Sequence, residues 1–170
     1  MERDKSEIAV NTDATLAAAG ALLAKRGSNF TVIRRAIFEL LCRESKAISA
    51  YTLVSAMAKK SGRRIAPQTV YRALDFLVEQ GLVAHLPNAR AYVARSPDGD
   101  EVTLLYFVCS ACGLTVECHD PYLERSVRLS ADAVEFVARA CVIDLAGLCK
   151  QCSQTSTDTE NRRRAIAIAS

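Results

Sequence analysis

The sequence predicts an α+β fold in two parts: a helical N-terminal domain closed by a hairpin, residues 1–96, and a small C-terminal α+β domain, residues 101–152. Three observations predict it. Apolar residues in the front of the chain recur at helical spacing and then give way to short strands separated by turn residues. The charge divides at Pro97: residues 1–96 hold 15 Lys+Arg against 8 Asp+Glu, and residues 97–170 hold 7 against 11, so a front of +7 precedes a back of −4. Finally, Cys109-Ser-Ala-Cys112 and Cys149-Lys-Gln-Cys152 repeat one Cys-x-x-Cys frame at the two ends of the second part.

The first helix is expected over Asp13–Arg26, an Ala- and Leu-rich stretch behind Thr12 as a possible cap and stopped by Gly27. Thr31 can cap a second helix with Val32, Ile33, Ala36, Ile37, Leu40 and Leu41 on its apolar side, ending near Glu44. A third begins at Ser49, carries Tyr51, Leu53, Val54, Ala56 and Met57, and fades into the basic loop Lys59-Lys60-Ser-Gly-Arg63-Arg64. The fourth opens on Pro67, a first-turn position, and runs to Gln80 with Val70, Ala73, Leu74, Leu77 and Val78 as its buried stripe; Gly81 ends it. Leu82–Leu86 and Ala91–Ala94 around Pro87-Asn88 form a hairpin. Three helices followed by such a wing describe a winged helix-turn-helix, in which the last helix is presented to a DNA major groove.

The hinge is 97–100, in the turn-forming stretch Ser96–Asp100. Beyond it, strands are expected over Val102–Val108 and Leu114–Glu117, a helix over Pro121–Val134, and a returning strand over Phe136–Asp144 that leads to the second cysteine frame. Residues 153–170 lack a core-forming pattern and read as a disordered tail.

Two residues between thiolates let both sulfurs of a frame reach one ion, so Cys109, Cys112, Cys149 and Cys152 make a closed four-thiolate site suited to one structural Zn(II). Disulfides would need an oxidising compartment, and a dithiol redox site would need a thioredoxin-like setting. Met1–Glu7 is charged and enters no apolar signal core, which places the chain in the cytoplasm with reduced thiols. The longest apolar stretch, residues 14–24, is far short of the roughly 20 residues that cross a bilayer. No membrane or small-molecule substrate is expected. With no phosphate loop, nucleophile–base pair or histidine-rich open metal site, an enzyme is not expected either.

The helix Pro67-Gln-Thr-Val-Tyr-Arg-Ala-Leu-Asp-Phe-Leu-Val-Glu-Gln-Gly81, the paired cysteine frames with Gly147-Leu148-Cys149, and Ala47-Ile-Ser-Ala-Tyr51 resemble the ferric uptake regulator family, and within it the zinc uptake regulator branch. The resemblance spans about residues 13–152. It implies a homodimer paired through the C-terminal domain that binds palindromic promoter operators in double-stranded DNA. It also implies repression of metal-homeostasis genes, or of a divergent regulon. By matching position, Tyr51 and Arg72 fall on the family's base-contacting residues, with Thr69 and Tyr71 beside them. From the helix pattern, Gln68, Arg72, Asp75 and Glu79 lie opposite the apolar stripe, and Lys59, Lys60, Arg63 and Arg64 suit phosphates, although a solvated loop would look the same.

The family's regulatory metal site is the point of departure. Of its ligands only Glu117 remains; the other matching positions hold Ala84, Arg95 and Val102, and two later histidines are replaced by Ala140 and Ala146. A methyl group cannot ligate and a guanidinium repels a cation. Three explanations compete. A rearranged site could use His85, Glu117, Cys118 and His119, with Asp98 or Asp100. Arg95 could lock the domains without metal, paired with Glu117 or a hinge acid. Cys118 and Cys141 could sense an oxidant, whereas Cys42 reads as core. An alternative role is a metal-independent or dominant-negative partner of a metal-sensing family member.

Overall fold

The computed structural model describes residues 12–95, 103–137 and 141–155. Helix α1 (Thr12–Lys25) buries Leu16, Ala19 and Leu23 on one side. Helix α2 (Val32–Cys42) is capped as expected, Thr31 accepting from the Arg34 N–H, and stops two residues before Glu44. Its buried side differs from the sequence reading: Phe38 joins Ile37 and Leu41 inside, whereas Val32, in the first turn, is 85% exposed.

Helix α3 (Ala50–Ser61) is capped by Ser49 and closed by Gly62. Lys59 and Lys60 therefore stand in its last turn, where cations complement the helix dipole, and the basic loop shrinks to residues 62–66. Helix α4 (Pro67–Glu79) starts on its proline without a side-chain cap and buries Val70, Ala73, Leu74 and Leu77. Val78, expected in the stripe, lies at its exposed margin. Gly81 takes φ +73°, which lets the Leu82 N–H reach back to the Leu77 carbonyl at 2.9 Å and terminates the helix.

The chain leaves that turn directly into the wing, β1 (Val83–Leu86) antiparallel to β2 (Ala91–Ala94), with Val83 opposite Ala94 and Leu86 opposite Ala91. Ile48 adds a bridge to Tyr92 through two 2.9 Å hydrogen bonds. The hinge 97–100 lies outside the described residues, as do residues 1–11 and 156–170.

The second half is a three-stranded sheet in the order β4-β3-β5. The central strand β3 (Thr103–Cys109) pairs antiparallel with β4 (Thr115–Cys118) and parallel with β5 (Cys141–Gly147). Helix α5 (Pro121–Ala133) makes the crossover that a parallel pair requires, with Asp120 accepting from the N–H groups of Tyr122 and Leu123. The returning strand starts later than predicted: Phe136 and Val137 are exposed and follow Glu135, which turns the chain at φ +55°. The segment read as a tail begins in helix, since residues 150–155 are helical.

One core fills the space between α1, α2, α3, α4 and the start of β1. A second, smaller core joins Ala84 and Leu86 of the wing to Leu104 and Tyr106 of β3. The two halves thus share buried surface across the hinge.

Candidate nucleic-acid interface and metal centre

The outer face of α4 carries Gln68, Tyr71, Arg72, Asp75 and Glu79, all exposed, with Thr69 half-buried beside them. Burying Val70, Ala73, Leu74 and Leu77 at a helical period leaves these positions no other direction. Tyr51, in the first turn of α3, is 81% exposed, so it does not serve as a packed aromatic. Lys59, Arg63 and Arg64 are exposed as well. Lys60 is committed to Glu39 of α2 at 2.8 Å, and this bond is the main reason the Glu39 carboxyl is held below its ordinary range. Its charge is therefore less available to a phosphate than those of its basic neighbours.

The far end of α4 is held by two arginines. Arg26 Nη1 donates to the Gln80 carbonyl at 2.8 Å, and Arg95 Nη1 to the Gly81 carbonyl at 3.3 Å. Both cations complement the negative end of the helix dipole. The Arg95 guanidinium turns to the helix end and not to Glu117, the partner the sequence offered it.

In the second half β3 runs into buried Cys109. The Cys109 N–H donates to Leu114 O and the Gly113 N–H returns to Cys109 O, both at 2.8 Å, so the turn folds Cys112 back over Cys109. From the other side β5 delivers Gly147, whose carbonyl accepts from the Ser110 N–H at 2.8 Å, and then Cys149. The sulfurs of Cys109, Cys112, Cys149 and Cys152 all lie within 4.8 Å of one another, with Cys112 and Cys149 at 3.8 Å. A disulfide needs about 2.05 Å, whereas sulfurs around a tetrahedral ion at about 2.3 Å stand about 3.8 Å apart. This donor set fits Zn(II).

The electrostatics agree. The Cys149 N–H, 3.3 Å from Cys109 Sγ, leads the backbone donors that pull the Cys109 thiol down to about 6. Cys152, facing the sulfurs of Cys149 and Cys112, is pushed up to about 12. Four clustered sulfurs resist a full set of negative charges until a cation joins them.

Among the described residues this is the one group of three or more ligating side chains close enough to hold an ion. His85, Glu117, Cys118 and His119 form no such group among these residues, and Asp98 and Asp100 lie outside them; His85 projects from the wing beside Tyr92, with ring centroids 4.8 Å apart. Nor do the described residues at the regulatory positions fit a metal: Ala84 is a buried methyl and Arg95 caps α4; Val102 lies outside the described residues. Burial pushes the Cys42 thiol up to about 11, as suits a core position.

The model of the ferric uptake regulator family matches residues 25–145. The chain belongs to the ferric uptake regulator family. Its members in the comparison include the zinc uptake regulation protein of Escherichia coli, 34% identical over 142 residues, which are 83% of this chain and 82% of that protein. The peroxide operon regulator of Bacillus subtilis is 29% identical over 134 residues, 78% of this chain and 89% of that one. A solved zinc uptake regulator complexed with zinc and DNA superposes with a TM-score of 0.79 at 33% identity, over 86% of this chain and 97% of that one. Family membership makes this chain a transcriptional regulator and not an enzyme. It leaves the signal open, because relatives with zinc and with peroxide in their names both match.

Proposed function

We propose that the chain is a homodimeric repressor that reads a palindromic DNA operator through α4, with one structural Zn(II) per subunit in the four-cysteine site and no regulatory metal at the hinge. The observation that carries this reading is the solvent-facing set Tyr51, Gln68, Tyr71 and Arg72 on a winged helix that resembles a zinc uptake regulator complexed with zinc and DNA. Arg72 can make a bidentate contact with a guanine edge or a phosphate, and Lys59, Arg63 and Arg64 can fix the register on the backbone. Dimerisation is supported by the second half. None of α5 is buried in a single chain, and Phe107, Val116, Tyr122, Leu129 and Leu145 are exposed. These exposed apolar side chains support an interface there.

Duplexes enriched from a random library on the wild-type chain test the reading. Affinity for an enriched palindrome is expected to fall with salt by about 0.9 log units per log unit of salt for each phosphate contacted. Arg72→Ala is expected to weaken binding by about 5- to 150-fold, the worth of one bidentate base contact. A flat salt response, or an indifferent Arg72→Ala, would overturn it.

Zinc uptake by the reduced, metal-stripped chain is expected to strengthen between about pH 6 and pH 8, because protons and metal compete for the same sulfurs. Cys109, at about 6, is largely thiolate at neutral pH, whereas Cys152, at about 12, must surrender its proton to the metal. Competition against a chromophoric chelator at both pH values checks this; an affinity constant across the range would contradict it.

A further inference from the structure

Asp144 is the one buried charged side chain among the described residues, 6% exposed in the middle of β5. Its partners come from the other half of the chain. Oδ2 accepts from the Asn88 and Ala89 N–H groups at 2.9 and 3.1 Å, and Oδ1 from Asn88 Nδ2 at 3.0 Å. Asn88 Nδ2 also reaches the Asp144 carbonyl at 2.9 Å. A buried carboxylate is costly unless its oxygens are bonded, so this contact holds the wing turn against β5 with a definite geometry. The strand that presents it is itself fixed, by its parallel pairing to β3 and by the cysteine frame five residues on.

A second strap sits on the opposite edge of the same sheet. The Thr115 N–H donates to Ser45 O at 3.3 Å, the Ala47 N–H to Thr115 Oγ1 at 3.1 Å, and Lys46 bridges Leu114. Between the straps lies the shared core of Ala84, Leu86, Leu104 and Tyr106. Because α4 passes through one tight turn into β1, whatever holds the wing also sets the direction of α4.

We propose that Asp144 is a positioning residue for DNA binding. Through the Asn88–Ala89 turn it sets the angle of α4 against the C-terminal half, so that two reading helices stand at operator spacing without a metal at the hinge. The inference rests on the DNA-reading function proposed above. Asp144 touches no DNA; it acts through the wing.

The test uses the full-length, zinc-loaded chain and two fluorescent duplexes of about 30 base pairs, which accommodate two half-sites. One is a palindrome enriched on the wild type; the other is the same duplex with one half scrambled. Asn88→Asp, at an exposed turn, sets two carboxylates against each other. The double variant Asn88→Asp/Asp144→Asn restores an amide–carboxylate pair between the two side chains, but not the bond to the carbonyl of residue 144. Asn88→Asp is expected to weaken palindrome binding by about 10- to 100-fold, the range for hydrogen bonds to a charged group. The scrambled duplex should be bound within about threefold of wild type, zinc content and dimer mass should be unchanged, and the double variant should recover part of the loss. An indifferent Asn88→Asp, an equal loss on both duplexes, or a double variant without recovery would overturn the latch alone. A wild type that enriches no duplex would instead overturn the DNA-reading function beneath it.

Discussion

Replacing Cys109 by serine is expected to abolish zinc retention, dissociate the dimer and reduce operator affinity by about 10²- to 10⁴-fold. The first step follows from the site. Cys109 is buried and receives the Cys149 N–H, so the substitution removes the ligand that ties the end of β3 to the second cysteine frame. Binding of a structural zinc contributes on the order of 10–16 kcal/mol in small metal-folded domains, more than a domain of this size can replace. The sheet has three strands, and no residue of α5 is buried in the single chain. Without the metal there is little to keep β5 in register with β3, and the apolar outer surface proposed to pair two chains loses its frame. The loss on DNA then follows from valency: two linked reading heads bind more tightly than one by about 10²- to 10⁴-fold, and a monomer forfeits that factor. Elemental analysis, light scattering and anisotropy on the same preparation check the three steps. Cys118→Ser is the control, since Cys118 lies outside the cluster and should leave all three unchanged. A Cys109→Ser chain that remains a zinc-loaded dimer would refute the scheme.

The cysteine site was legible because its signal is local in sequence. Each frame closes within one turn, and only the meeting of the two frames depends on the fold. The solvent-facing side of α4 was legible for a similar reason: a strict helical period with Pro67 before it and Gly81 behind it leaves little freedom over which side is buried. The boundaries that moved did so for identifiable causes. Phe136 and Val137 are as apolar as a strand, yet the turn at Glu135 leaves them exposed. Lys59 and Lys60 look like loop residues, yet α3 runs through them and stops only at the left-handed Gly62. Asp144 was invisible as a site because its partners, Asn88 and Ala89, lie more than fifty positions away, and a lone aspartate in an apolar strand carries no local signal. Arg95 was singled out for its charge, and of the two partners offered to it Glu117 is not the one it meets, while the hinge acids lie outside the described residues. The turn after α4 brings the Gly81 carbonyl within reach, and a nearby helix end competes effectively with a carboxylate on another sheet.

Phe38 was missed for a different reason, and it carries the second large effect. The α2 pattern admits two overlapping apolar sides, one through Val32 and Ala36 and one through Phe38 and Leu41, and spacing alone does not choose between them. Packing does. Phe38 has no exposed surface and meets Phe30 edge-on with centroids 6.2 Å apart, while Val32, at the helix start, faces solvent. The same helix sends Arg34 over the Phe76 ring of α4 at 3.4 Å, so α2 is the platform against which the reading helix rests. Phe38→Ala is therefore expected to destabilise the N-terminal half by about 3–5 kcal/mol, the cost of the lost burial plus the cavity left behind. A marginally stable domain loses most of its folded margin at that cost. The expected result in thermal unfolding is an early transition of the winged helix, with zinc content and dimer mass retained, because the cysteine site and the outer sheet surface lie in the other half. Phe38→Leu refills most of the volume and should recover most of the stability. Val32→Ala, at the position the sequence placed inside, should change it by no more than about 0.5 kcal/mol. A Val32→Ala loss comparable to that of Phe38→Ala would mean that α2 is rotated from the orientation on which the reading face of α4 depends.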